Sequence, residues 1–153
     1  MSVLTRATLL GLATGGRSTS ALAALTLTNS SSGGVLGSPW ARRLARLAAT
    51  GELVGDKLPQ TPSRLQPEGL APRLAFGAAA GAILTHREGG SRGRTALAAA
   101  LGLIGAAAGS QLGASWRQVA GKRFGKDLPG ALIEDACCAA AVRYASRAGR
   151  RRA

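Results

Sequence analysis

The sequence predicts an all-α membrane bundle of four to five helices joined by glycine-rich contacts. Three observations carry that expectation: apolar segments near spanning length, small residues spaced four apart within them, and basic connections between them. Aromatic residues make up only 3% of the chain, and alanine, glycine and leucine dominate. Alanine-rich helices bury little area each, so they gain by close approach rather than by large side chains. Mean hydropathy is only +0.11, so the placement of the apolar residues has to decide the class.

The first apolar segment runs from Ala7 to Thr28 and is interrupted by Arg17 and a few hydroxyls. Asn29 to Gly37 reads as a Ser/Gly loop. Ser38 and Pro39 mark a helix start, as N-cap and first helical residue. The helix from Trp40 puts Arg42, Arg43 and Arg46 on one side and Leu44, Leu47 and Ala48 on another, a pattern suited to a membrane surface. Pro59, Pro62 and Pro67 break the chain into a loop. Leu70 to Thr85 carries one charge, Arg73. His86 to Arg94 is a short basic loop, so Leu70–Thr85 and Thr95–Leu112 form an antiparallel hairpin. Thr95 to Leu112 has no charge and is the best span. A basic stretch, Ser115 to Lys126, precedes a last helix from Pro129 to Ala145, with Asp127 as its N-cap. One domain covers 1–146, and 147–153 is a basic tail.

Glycine spacing is the sharpest signal. Gly11 and Gly15, Gly77 and Gly81, and Gly105, Gly109 and Gly113 form three rows, with Gly102 close to the third. At about 100° per residue the last four share one stripe. Each costs roughly 1 kcal/mol against alanine in a helix, so the rows ask for compensation by close helix contact. Gly77-Ala-Ala-Ala-Gly81 recurs as Gly105-Ala-Ala-Ala-Gly109, and Trp40-x-Arg42 with Asp56-Lys57-Leu58-Pro59 echoes Trp116-Arg117 with Lys126-Asp127-Leu128-Pro129. An internal duplication would account for both.

The net charge is +13 and is carried almost wholly by arginine. Such a chain attracts polyanions, either nucleic acid or the anionic face of a bilayer. Basic loops beside apolar segments favour the bilayer, and the few aromatics do not cluster as a stacking groove requires. Charges within apolar surroundings are Arg17, Glu52, Asp56, Arg73, Glu134 and Asp135. Glu134 and Asp135 point about 100° apart, so at least one faces the bundle, with Arg17 or Arg73 as partner. A salt bridge fixing helix register is the plainer role; a solute or proton pathway is the sharper one, in which neutralising Glu134 removes a flux and spares folding.

No catalytic constellation can be assembled, so the chain is read as not an enzyme. Cys137 and Cys138 are adjacent and poorly placed for a disulfide, and Glu134 one turn before Cys138 would raise rather than lower its pKa. His86 closes a helix, where a cation is favoured. No metal, cofactor or phosphate-cradling loop is expected. The segment before Glu52 has no acid and resembles a transit peptide, although its glycine spacing matches the later helices and favours a first membrane helix.

The segments GLATGGRSTSALAAL (Gly11 to Leu25), GELVGDKLPQTPSRL (Gly51 to Leu65) and ALIEDACCAAAVRYA (Ala131 to Ala145), with the glycine-rich pair of helices between, resemble an uncharacterised family of small bacterial multi-helix membrane proteins, a domain of unknown function. Its most specific element is Glu52-x-x-x-Asp56-Lys57-x-Pro59. The long Ser/Gly loop and scarce aromatics depart from it. The resemblance implies a helical protein of the bacterial inner membrane and no activity, so no functional residue carries over. The expected function is therefore a small integral membrane protein, a solute pathway or a scaffold, with the lipid bilayer as partner and room for a homo-oligomer. The alternative is a soluble basic helical protein that binds nucleic acid. Orientation stays open. His86–Arg94 and Arg147–Arg152 would share the cytoplasmic side, but Ser115–Lys126, on the opposite side, is also basic.

Overall fold

The computed structural model describes residues 1–19, 21, 25–26, 38–55, 65–125 and 127–150. Among them are five helices and no strand: α1 (Val3–Gly16), α2 (Pro39–Gly55), α3 (Pro67–Arg87), α4 (Arg92–Phe124) and α5 (Asp127–Arg150).

Local chemistry sets the ends. Ser2 caps α1, its hydroxyl accepting from the Thr5 N–H at 3.1 Å. Pro67 occupies the first turn of α3, where its missing N–H costs nothing. Ser91 caps α4 by accepting from the Arg94 N–H at 3.3 Å. Gly125 ends α4 at φ 63°, and its N–H reaches the Gly121 carbonyl at 3.0 Å.

Several boundaries differ from those expected, beginning with α1, which runs Val3–Gly16 where the apolar segment was Ala7 to Thr28, and gives way to extended backbone at Arg17. Helix α3 starts at Pro67 and runs to Arg87, so the loop expected at His86–Arg94 is cut to Glu88–Ser91 and is not basic: Arg87, Arg92 and Arg94 lie on the flanking helices. Helix α4 does not stop at Leu112 but continues through the basic stretch to Phe124, because nothing from Ser115 to Phe124 breaks a helix. Its 33 residues span about 50 Å. Helix α5 reaches Arg150, into the segment read as a tail.

Register follows from which residues meet. Gly77 lies against Gly102 and Gly81 against Ala98, so α3 and α4 form the expected antiparallel hairpin. Gly105 lies against Thr8 and Gly109 against Leu12, so α1 runs parallel to α4. Arg6 meets Ala145 and Arg17 meets Asp135, so α5 runs antiparallel to α1. The loop 88–91 and the end of α5 therefore share one end of the bundle. Helices α1, α3 and α4 pack mutually, with α5 against α1 and α4; α2 shares no packing with them among the described residues.

The distribution of side-chain size is unusual. The buried apolar residues are mostly alanine, and the largest fully buried side chains are Leu10, Thr14, Thr85 and Ser110. On α4, Gly102, Gly105, Gly109 and Gly113 are buried. Leu97, Ile104, Leu112 and Val119 are exposed, Ile104 by 59% and Leu112 by 65%. At about 100° per residue each set spans an arc of about 80°, and the two arcs centre about 100° apart. The small residues face the bundle and the large ones lie on the adjoining, exposed flank.

Candidate functional site

All seven glycines singled out by spacing are buried. At six of them, backbone of a neighbouring helix fills the space a Cβ would need. A Cβ on Gly77 would lie 2.6 Å from the Gly102 carbonyl oxygen, and one on Gly105 would lie 2.6 Å from that of Thr8. At Gly11, Gly15, Gly81 and Gly109 the overlap is closer still, with Gly102, Ala106, Ala98 and Leu12 respectively. Gly102 is where both neighbours converge: Gly77 of α3 lies on one side and Gly11 of α1 on the other. The two rows that looked like copies thus lie on different seams, Gly77 and Gly81 against α4, and Gly105 and Gly109 against α1.

The charges form a set of ties at the helix ends. Arg17 donates to Asp135 at 2.6 Å, and Arg117 donates to the buried carboxylate of Glu134 at 2.9 Å. Of the two partners expected for this acidic pair, Arg17 and Arg73, Arg17 serves Asp135. Arg117, on the unforeseen extension of α4, binds Glu134. Arg73 is buried and donates to the carbonyls of Gly15 and Gly16 at 2.9 and 3.2 Å, where the end of α1 leaves acceptors without helical donors. Glu52 belongs to α2, but its side chain, like Asp56, lies outside the described residues.

Sequence reading missed Arg6. It is buried, pairs with Glu88 and donates to the Ala145 carbonyl at 2.6 Å, joining α1, the 88–91 loop and α5. The signal available was an arginine one turn into an apolar helix, where only a buried partner offsets desolvation. Two buried hydroxyls bond back along their own helices, Thr14 donating to Leu10 at 2.7 Å and Ser110 to Ala106 at 2.8 Å, and Ser110 also lies 3.3 Å from the Gly15 carbonyl of α1.

Between α1, α4 and α5 lies an open cleft of about 420 Å³, almost wholly apolar. Gly16, Gly109 and Gly113 contribute to its lining, with Leu112 and Ile133 among its walls. Glu134 and Cys138 also line it, and a Cβ on Gly16 would meet the Cys138 Sγ at 2.5 Å. Trp116, another lining residue, donates its indole N–H to the Gly130 carbonyl at 2.9 Å. Cys137 is exposed and Cys138 buried. His86 is exposed near the 88–91 loop, at the other end of the bundle, so cleft and imidazole do not combine. No group of three or more His, Cys, Asp or Glu that could hold a metal occurs among the described residues. The cleft can receive an apolar group; its one carboxylate is already held by an arginine.

One described helix, α4, is long and apolar enough to cross a membrane, a test that the core helix of a soluble protein also passes. Comparison with known proteins finds no matching family model, no matching curated protein and no matching solved structure.

Proposed function

We propose that this chain is a small integral membrane protein that acts as a helical scaffold in the bilayer. The observation that carries the reading is the distribution on α4, where Gly102, Gly105, Gly109 and Gly113 are buried while Leu97, Ile104, Leu112 and Val119 are exposed. In water, burial of large side chains drives folding, and leaving Ile104 and Leu112 exposed while burying glycine forfeits it. In lipid that driving force between helices vanishes, and close backbone approach takes its place. Helix α4 is the natural span. Helices α3 and α5, of 21 and 24 residues, are also long enough to cross a hydrocarbon core of about 30 Å.

A scaffold is favoured over a solute pathway for two reasons. The seams among α1, α3 and α4 are closed by backbone contact. The acids Glu134 and Asp135 are each held by an arginine, which suits register rather than relay. The bacterial inner membrane follows from the resemblance noted above, and self-association through the exposed faces of α4 and α5 is compatible with it.

The test is fractionation of the native chain. It should remain with membranes through washes in 1 M salt and in alkaline carbonate, and leave them only with detergent. Release by salt alone would instead favour the basic soluble protein, whose binding to nucleic acid should then weaken steeply with ionic strength.

A further inference from the structure

Helix α2 stands apart in chemistry as well as in packing. On a helical projection from Trp40, Leu44 and Leu47 fall within about 40° of it, and Gly51 falls between them. Trp40, Leu44 and Leu47 are all exposed, Trp40 by 65% and Leu47 by 68%. A Cβ at Gly51 would meet nothing within 4 Å. Arg42 and Arg46 project from the opposite side and Arg43 from the flank, and the first turn holds no acid. A soluble helix with no partner keeps its large apolar side chains off one stripe, since a contiguous exposed patch marks a contact surface.

We propose that α2 is an interfacial helix that lies on the anionic face of a phospholipid bilayer. Trp40, Leu44 and Leu47 enter the boundary between headgroups and acyl chains, and Arg42, Arg43 and Arg46 meet lipid phosphates. The occupant is identified by charge and shape together. An apolar stripe one helix wide, flanked by cations, fits a surface that is apolar below and negative above. A protein groove would satisfy the stripe without needing the arginines, and nucleic acid would satisfy the arginines and leave the stripe in water. The inference rests on the bilayer reading for its setting, but α2 would make the same contact from a chain that does not span.

The experiment uses the full chain reconstituted in vesicles of phosphatidylcholine, with or without phosphatidylglycerol, and lipids brominated high on the acyl chain as quenchers. Trp40 emission is the difference between the native chain and Trp40→Phe, with Trp116 common to both. The expected result is strong quenching of Trp40 with phosphatidylglycerol present, lost in the Arg42→Gln, Arg43→Gln, Arg46→Gln triple variant. Trp40 left open to acrylamide and untouched by brominated lipid, in a chain that still resists the alkaline wash, overturns the interfacial helix and leaves the integral reading standing. Quenching that is equal without phosphatidylglycerol and unchanged in the triple variant overturns the anionic contact. A chain that fails to integrate, yet whose Trp40 is quenched when phosphatidylglycerol vesicles are added, supports the interfacial helix while ending the integral reading. A response to duplex DNA alone overturns it in favour of nucleic acid.

Discussion

Gly102→Val should dismantle the bundle. Gly102 sits where α4 is in contact with both neighbours, and a Cβ there would run into the Gly77 carbonyl of α3. On its other side, Gly11 of α1 rests against the Gly102 backbone itself. The obstacle is peptide backbone rather than a flexible side chain, so relief requires α3 to move off α4, or α4 to be driven against α1. Overpacking of a filled core costs typically 1–3 kcal/mol, and this site belongs at the upper end, about 3 kcal/mol. Gly121→Ala is the control. It lies on the same helix with nothing within 4 Å of its would-be Cβ, and alanine there should stabilise by about 0.5–1 kcal/mol. Denaturant unfolding in detergent, followed by far-ultraviolet circular dichroism, should move in opposite directions for the two variants. Equal shifts would mean that the glycine rows have no special packing role.

Glu134→Ala should be the more damaging change within the Glu134–Asp135 pair. Its carboxylate is buried and takes the Arg117 guanidinium at 2.9 Å, so truncation leaves a partly desolvated cation without its partner. Breaking a fully buried pair costs about 3–5 kcal/mol; Arg117 retains 21% exposure, which places the expected loss near 2–3 kcal/mol. Adding Arg117→Ala should cost less than the two single losses combined, with about 1–2 kcal/mol of coupling in a double-mutant cycle. Asp135→Ala should cost somewhat less, about 1–2 kcal/mol, because Asp135 is 22% exposed against 7% for Glu134, although its partner Arg17 is 14% exposed. A solute pathway through Glu134 makes the contrary forecast: folding intact and a flux abolished.

Particular residues show how far the fold and its charges could be read in advance. Spacing of four is a property of the helix itself, and the seven glycines of the three rows are all buried. The α3–α4 hairpin was legible because a short polar stretch, read as His86 to Arg94, separates two apolar segments. Partner choice was not. Pairing Glu134 with Arg117 depends on α4 reaching Phe124, and Arg117, Lys122 and Arg123 look like a loop when charge is read as the end of a span. A long helix can leave a membrane and continue in water, and charge marks that crossing rather than the helix end. Arg6 was passed over for a similar reason: its partners Glu88 and Ala145 are remote in sequence, and only the antiparallel register of α5 brings them together.

A nitroxide spin label placed through Ile104→Cys, with Cys137 and Cys138 replaced by serine and the protein in vesicles, puts the proposed contact of α4 with lipid to direct trial. Collision with dissolved oxygen should be frequent and collision with a water-soluble nickel chelate rare, as for a side chain among acyl chains. Frequent collision with the chelate at that position would place the leucine and isoleucine stripe in water and contradict the membrane scaffold.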